Sequence, residues 1–320
     1  AGSVTVYVNG ASDLTFSTTY NISSSGTFLG YASTGNQYYN GSIDQVRIFS
    51  TALTAANVTS LYNEVQCVPA IIPSDYFNPL LYTGNGSTQS IDDLTFAPDF
   101  VWIKPRSQAD NHNLFDTIRG VQKQLISNNT SAESTQSNTL TSFNSNGFSI
   151  GPDNNINTSA QTYVAWNWKA AATTTTIAAN TVGNTIASDV RASTESGFSI
   201  VSYTGNNVAG ATIGHGLGAA PDMIILKNRD TTDNWTVQTS DLTYTDYIDL
   251  NSINAATTNS SVWYAAPTST VFSFGANPRG NGSGNDIIAY CFASIPGMSD
   301  IGSYVGLGSS ANPVIVTGFR

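Results

Sequence analysis

The stretch Ala97-Pro98-Asp99-Phe100-Val101-Trp102-Ile103-Lys104-Pro105-Arg106 decides the fold, because its grammar returns. At Ala220-Pro221-Asp222-Met223-Ile224-Ile225-Leu226-Lys227-Asn228-Arg229 the order is again Pro-Asp, four apolar residues, Lys, any residue, Arg. Other landmarks keep step. Tyr82-Thr83-Gly84-Asn85 matches Tyr203-Thr204-Gly205-Asn206, and Phe148-Ser149-Ile150-Gly151 matches Phe272-Ser273-Phe274-Gly275. Tyr163-Val164-Ala165-Trp166-Asn167-Trp168 closes the first unit as Ile287-Ile288-Ala289-Tyr290-Cys291-Phe292 closes the second. A third copy opens at Tyr304-Val305-Gly306 and runs through Thr317-Gly318-Phe319. Internal repetition defines the folding unit. A unit of about a hundred residues is too long for a solenoid repeat and suits a small domain, so the chain reads as a string of beads.

Within each unit the pattern is all-β. Phe100-Val101-Trp102-Ile103 is a short continuous apolar run, the signature of a strand buried on both faces. Leu114-Phe115-Asp116 and Gln124-Leu125-Ile126-Ser127 read as strands joined by a loop at Gly120, and 128–137 as a polar surface loop. Upstream, Ser3-Val4-Thr5-Val6-Tyr7-Val8-Asn9-Gly10 alternates into Asn-Gly, a hairpin signal. Thr27–Tyr31 and Gly41–Phe49 read as further strands, and Thr54 caps a short helix with Val58, Leu61 and Tyr62 on one face. The expected architecture is tandem β-sandwich, jelly-roll-like modules joined by short Pro- and Thr-rich linkers. Its boundaries are 1–66, a linker at 67–74, repeat 1 at 75–170, an Ala/Thr-rich linker at 171–190, repeat 2 at 191–296, and 297–320 as a linker and the truncated start of a third repeat.

Only 10% of the residues are charged, against about a quarter in ordinary domains, and Ser, Thr, Asn and Gly take their place. The net charge of −10 disfavours capture of a nucleic-acid backbone. No window is apolar enough for a membrane-spanning helix, so neither nucleic acid nor membrane insertion is expected. Cys67 and Cys291 fall in different units and have no metal-ligand spacing; Cys291 reads as a small buried hydrophobe.

The chemistry-bearing candidates are few. Proline presets φ and the following carboxylate can accept a backbone N–H, so the repeated Pro-Asp reads as a strand-initiating turn. Lys104/Arg106 and Lys227/Arg229 project to one face of a strand end, where an acidic neighbour or a glycan could meet them. Gly214-His215-Gly216-Leu217-Gly218 lacks the lysine and the following helix of a phosphate loop and reads as a turn. His112 and His215 have no supporting nucleophile, and the Asp92/Asp93 pair has no counterpart in repeat 2, so no catalytic set is assigned. Trp166 and Trp168 read as core. Trp235, beside Asp233 and Asn234 in a polar segment, is the candidate for an exposed sugar-stacking platform, with Arg106 and Arg229 as its speculative glycan-binding partners.

Two resemblances add to this reading. Tyr7-Val8-Asn9-Gly10, then Tyr39-Asn40-Gly41-Ser42-Ile43-Asp44-Gln45-Val46-Arg47-Ile48-Phe49, then Ala52-Leu53-Thr54 and Leu61-Tyr62, resemble the C-terminal half of a LamG, concanavalin A-like jelly roll. The resemblance covers residues 1–66 and implies that the other half of the sandwich precedes Ala1; it also implies Asp44 as a ligand of a structural calcium ion. Residues 75–320 resemble tandem repeats of marine bacteriophage virion proteins, with Phe115-Asp116-x-x-Arg119-Gly120 fitting in repeat 1 and absent from repeat 2. The resemblance implies a non-enzymatic tail fibre, appendage or head-decoration protein on the virion surface. Its implied partners are other virion proteins, copies of itself as a homo-oligomer such as a trimer, and host surface glycan. A secreted cellular adhesin or carbohydrate-binding protein, and a polysaccharide depolymerase, are the alternatives.

Overall fold

A computed structural model of the chain describes residues 2–18, 31–32, 37–38, 49, 51–65 and 71–306. It divides into two compact units, 1–70 and 71–320. In the first, β1 (Gly2–Val8) and β2 (Ala11–Thr18) form an antiparallel hairpin. Asn9 and Gly10 turn it with φ of 51° and 75°, the left-handed pair that a two-residue turn of this twist requires. β3 (Tyr31–Ala32) pairs with β4 (Gln37–Tyr38). The helix α1 (Ala55–Val65) begins where the Thr54 hydroxyl accepts the Asn57 N–H at 3.2 Å. Val58, Leu61 and Tyr62 make its half-buried face. Tyr62 lies so close to the turn that a Cβ on Gly10 would sit 2.8 Å from its ring. Asp44, Cys67 and most of the strands expected at Thr27–Tyr31 and Gly41–Phe49 lie outside the described residues.

The second unit realises the repeat strand for strand. Repeat 1 comprises β5 (Phe77–Thr83), β6 (Gln89–Ile91), β7 (Phe100–Pro105), β8 (Asn113–Asp116), β9 (Lys123–Ile126), β10 (Ser134–Thr135), β11 (Leu140–Asn144), β12 (Gly147–Ile150) and β13 (Thr162–Trp168). They form a six-stranded sheet, β10-β9-β8-β7-β13-β5, and a three-stranded sheet, β11-β12-β6. Pro79 sits in β5, at the sheet edge, where a missing N–H is tolerated. Before the equivalent strands of repeat 2 come β14 (Thr175–Ile177) and β15 (Ser188–Ser193). The rest are β16 (Phe198–Thr204), β17 (Ala211–Gly214), β18 (Met223–Asn228), β19 (Thr236–Thr239), β20 (Asp246–Asp249), β21 (Thr257–Thr258), β22 (Trp263–Ala265), β23 (Val271–Phe274) and β24 (Asp286–Phe292). The large sheet is now eight-stranded, β14-β15-β16-β24-β18-β19-β20-β21, against a small sheet β17-β23-β22. The Ala/Thr-rich segment read as a linker therefore carries two strands. Thr175 to Ile177 pair with Val190 to Ser188 inside the same chain and extend the β16 edge.

The repeated motifs hold the same corner in both copies. Tyr82 Oη donates to the Ile156 carbonyl at 2.7 Å, and Tyr203 Oη to that of Gly280 at 2.6 Å. Buried Asn157 and Asn281 accept the N–H groups of Asn85 and Asn206 at 2.9 Å each. Gly84 and Gly205 press against the chain there: an added Cβ would lie 2.3 Å from the Thr158 and Gly282 carbonyl oxygens. The Pro-Asp carboxylates pin the end of the closing strand, Asp99 accepting Ala170 N–H at 2.7 Å and Asp222 accepting Ser294 N–H at 2.8 Å. The Pro-Asp pair is thus structural, as expected, but its carboxylate ties together distant strand ends in place of a nearby N–H.

The central strands of the large sheets are apolar on both faces, and the structure shows why. In β7, Val101 and Ile103 point inward with Tyr82, Phe115, Leu140, Phe148 and Tyr163 as repeat 1's own core. Phe100 points the other way, with Leu114 and Leu125, onto Phe198, Ile200, Ile225, Trp235, Ile288 and Tyr290 of repeat 2. The outer faces of the two large sheets are packed together. Phe100 stacks on Tyr290 at 4.2 Å and on Phe198 at 6.0 Å between centroids. Each such side chain removed from water contributes about 1.5–3 kcal/mol. The repeats share a core and are not separate beads, because the second face of each sheet is too apolar to stand in water alone.

The buried Lys227 belongs to this framework. Its ammonium donates to the carbonyls of Asn228 at 2.8 Å and Thr231 at 3.0 Å, as Lys104 does to those of Pro105 and Gln108. Burial pushes the Lys227 pKa down from 10.5 to about 8, against a partial upward pull from Asp233. The folded protein thus releases this proton before the unfolded chain does, so stability rises with pH between about 8 and 10.5 and is lost as pH falls through that window. Across that window the urea midpoint of the wild type is expected to rise relative to that of Lys227→Met, both carrying the opposing fall that the raised Cys291 thiol imposes above about pH 9.

Candidate functional site

The pairing of the repeats creates a groove of about 310 Å³ at one end of their junction. Repeat 1 supplies Trp102, His112, Ser127 and Asn128; repeat 2 supplies Leu250, Asn251, Ser252 and Ile253. Both walls descend from one motif. Asp110-Asn111-His112 in repeat 1 aligns with Asp233-Asn234-Trp235 in repeat 2, each leading into an equivalent strand. Asn128 Oδ1 accepts the His112 N–H at 2.8 Å and its Nδ2 donates to Asn111 Oδ1 at 3.0 Å. Asn251 does the same, accepting Trp235 N–H at 2.8 Å and donating to Asn234 Oδ1 at 2.8 Å. Each amide is thereby fixed by backbone and neighbour, while the second hydrogen on its Nδ2 has no partner in these pairs.

The motifs differ at the aromatic position, and the groove follows from that difference. Trp235 is wholly buried, with its indole N–H donating to the Ile126 carbonyl at 2.8 Å. It fills the junction core and cannot serve as an exposed platform, which corrects the sequence expectation. Its polar neighbours are polar because they build the Asn234–Asn251–Asp249 framework around it. The smaller His112 leaves space instead. Trp102 Nε1–H donates to His112 Nδ1 at 3.3 Å, so the imidazole is held in the tautomer that carries its proton on Nε2. Burial pushes the His112 pKa below the usual imidazole value, and the nearby Lys104 ammonium adds to the shift. Protonation would place a second hydrogen on Nδ1 against the Trp102 N–H. An NMR titration should therefore show His112 charging below pH 6.5, with the Trp102 indole resonance moving in the same step.

Trp102 also meets Trp166 edge to face at 6.3 Å. From there the uncovered part of the repeat 1 sheet continues as the row Trp166, Val164, Pro79 and Leu81, with Leu81 63% exposed. Ile253, fully exposed, stands on the opposite rim. The arrangement offers apolar and aromatic surface beside fixed amides and hydroxyls, the mixture that a sugar ring with its C–H faces and hydroxyl edges requires.

The two candidate arginines lie elsewhere. Arg229 is committed to an ion pair, with Nε and Nη2 donating to the Glu133 carboxylate at 3.0 and 2.9 Å, so its acidic-neighbour reading is the one realised. Arg106 is exposed. The position equivalent to Glu133 in repeat 2 is Ala256, so Arg106 meets no acid there to match the one that Arg229 pairs with. His215 is fully buried, its Nδ1 accepting Leu217 N–H and its Nε2 facing the Thr268 carbonyl, as a structural turn demands. Cys291 is buried with its thiol pushed up to about 12 by burial. Among the described residues no group of three or more His, Cys, Asp or Glu could hold a metal ion.

The Phe115-Asp116-x-x-Arg119-Gly120 motif, unique to repeat 1, is the clasp of the junction. Arg119 is buried and reaches Asp116, the Leu114 and Lys123 carbonyls at 3.0 and 2.8 Å, Glu133 at 3.1 Å and the Tyr290 hydroxyl at 3.3 Å. Tyr290 Oη, from repeat 2, donates to Asp116 at 2.7 Å. Arg191 of repeat 2 adds an ion pair to Asp99 at 2.6 Å.

Residues 72–320 match the family described as domain of unknown function DUF7483. The chain belongs to that family. The DUF7483 region so matched contains both described repeats and the groove between them. Residues 1–59 match the concanavalin A-like lectin/glucanases superfamily, in agreement with the resemblance drawn for that segment. No curated protein and no solved structure gives a significant match.

Proposed function

We propose that this chain is a non-enzymatic, glycan-binding protein of a bacteriophage virion surface, a tail fibre, appendage or head decoration. The observation that carries the glycan reading is the junction groove, where Trp102 and Ile253 flank the fixed amides of Asn128 and Asn251. The concanavalin A-like match at residues 1–59 supports carbohydrate as the ligand class. The repeated motifs support a structural role, because Tyr82/Tyr203, Asp99/Asp222 and Lys104/Lys227 each bind backbone groups of the framework. The virion placement rests on the repeat grammar and the neutral polar composition. Copies of such a site along a homo-oligomeric fibre would gain avidity without any new contact.

The test is binding of the chain to host-cell envelope polysaccharide by co-sedimentation, for wild type and Trp102→Ala. Retention of the wild type, loss in the variant and no shortening of the polysaccharide are expected. Release of shortened saccharide would contradict the non-enzymatic reading. Labelling of cell walls rather than particles in electron micrographs would replace the virion placement with a cellular adhesin.

A further inference from the structure

We infer that the junction groove selects uncharged saccharides and rejects anionic ones, an inference that rests on the glycan reading above. Every residue lining the groove is neutral in the folded chain: an indole, an imidazole, two amides, two hydroxyls and two aliphatic side chains. No cation is free to pair with a carboxylate or sulfate there. Lys104, two residues along β7 from Trp102, donates its ammonium to the Pro105 and Gln108 carbonyls. Arg279, behind the repeat 2 wall, is held by Asp233 and Asp249 at 3.3 and 2.7 Å.

One layer behind the lining the charges are mixed, Asp110, Asp233 and Asp249 against Lys104 and Arg279. Asp110 accepts the Asn111 N–H at 2.7 Å, and Asp249 accepts Asn234 Nδ2 at 2.8 Å, so a carboxylate backs the amide framework on each side. The whole chain carries −10. An anionic sugar entering this groove would lose water and find no cation among the lining residues, and both oppose binding. A neutral sugar loses nothing comparable. Its hydroxyls meet the spare amide hydrogens, the His112 Nε2–H and the Ser127 and Ser252 hydroxyls, while a C–H face lies on Trp102 and Ile253.

The test is calorimetric titration of the full chain with neutral probes (cello-, malto- and manno-oligosaccharides) and anionic ones (oligogalacturonate, sialyllactose, a sulfated galactan fragment) at low and high salt. A neutral probe should bind at least roughly tenfold tighter than any anionic probe, with little salt dependence, and should lose its affinity in Trp102→Ala. Ile253→Lys, at a fully exposed position on the rim, should raise the ratio of anionic to neutral affinity by about tenfold. Tight, Trp102-dependent binding of an anionic probe to the wild type would overturn the charge selectivity and leave the glycan reading standing. Binding of any probe unaffected by both substitutions, or of none, would overturn the glycan reading and this inference with it.

Discussion

Arg119→Ala is expected to destabilise residues 71–320 by about 3–5 kcal/mol, the usual cost of removing one partner from a buried ion pair. The reason is what remains behind. Asp116 has no exposed side-chain surface and keeps only the Tyr290 hydroxyl and nearby backbone N–H groups to stabilise its charge. The Leu114 and Lys123 carbonyls also lose their donor. Because Tyr290 belongs to repeat 2, the loss should fall on the junction. Chemical denaturation followed by tryptophan fluorescence should show a lower midpoint, and a double-mutant cycle with Tyr290→Phe should reveal coupling between the repeats. Replacing Asp116 and Arg119 together by Leu and Met should recover much of the loss, since a well-packed apolar pair avoids the uncompensated charge. A change below about 1 kcal/mol in Arg119→Ala would show that the clasp is dispensable.

Trp235→Ala should cost a similar amount, about 3–5 kcal/mol, by leaving a cavity in the shared core. The ring is fully buried among Leu125, Ile225 and Val237, and its N–H is the donor to the Ile126 carbonyl of the other repeat. Trp102→Ala makes the contrast. Trp102 is only half-buried, so its removal should cost less stability and more binding. Equilibrium unfolding of the two variants beside glycan titration separates the expected roles, Trp235 as framework and Trp102 as the proposed contact.

The repeat pattern made most of the strands legible. Phe100 to Ile103, Phe148 to Ile150 and Tyr163 to Trp168 fall in β7, β12 and β13, where alternation and turn residues placed them. Burial of the Phe100 strand on both faces was legible too, but its cause was not. Strand periodicity reports that both faces are apolar, and carries no mark of whether the covering layer is the same repeat or another. Thr175 to Ile177 read as linker because the Ala/Thr-rich segment holds no aromatic residue, and its pairing depends on β15, itself added to the β16 edge, which no local pattern reveals. The reading of Trp235 failed for a related reason: Asp233 and Asn234 are polar on account of their bonds to Arg279 and Asn251, not of exposure. Aligning Asp110-Asn111-His112 with Asp233-Asn234-Trp235 would have pointed to the smaller His112 as the place where the junction stays open.

The most direct measurement of the central claim, that saccharide binds in the groove between the repeats, follows the tryptophan indole resonances during titration with the tightest oligosaccharide. Trp102 should shift, because its N–H bonds to His112 in the groove wall, while the buried Trp235 and Trp263 stay in place. A titration in which binding saturates with Trp102 unmoved would place the saccharide elsewhere and contradict the account.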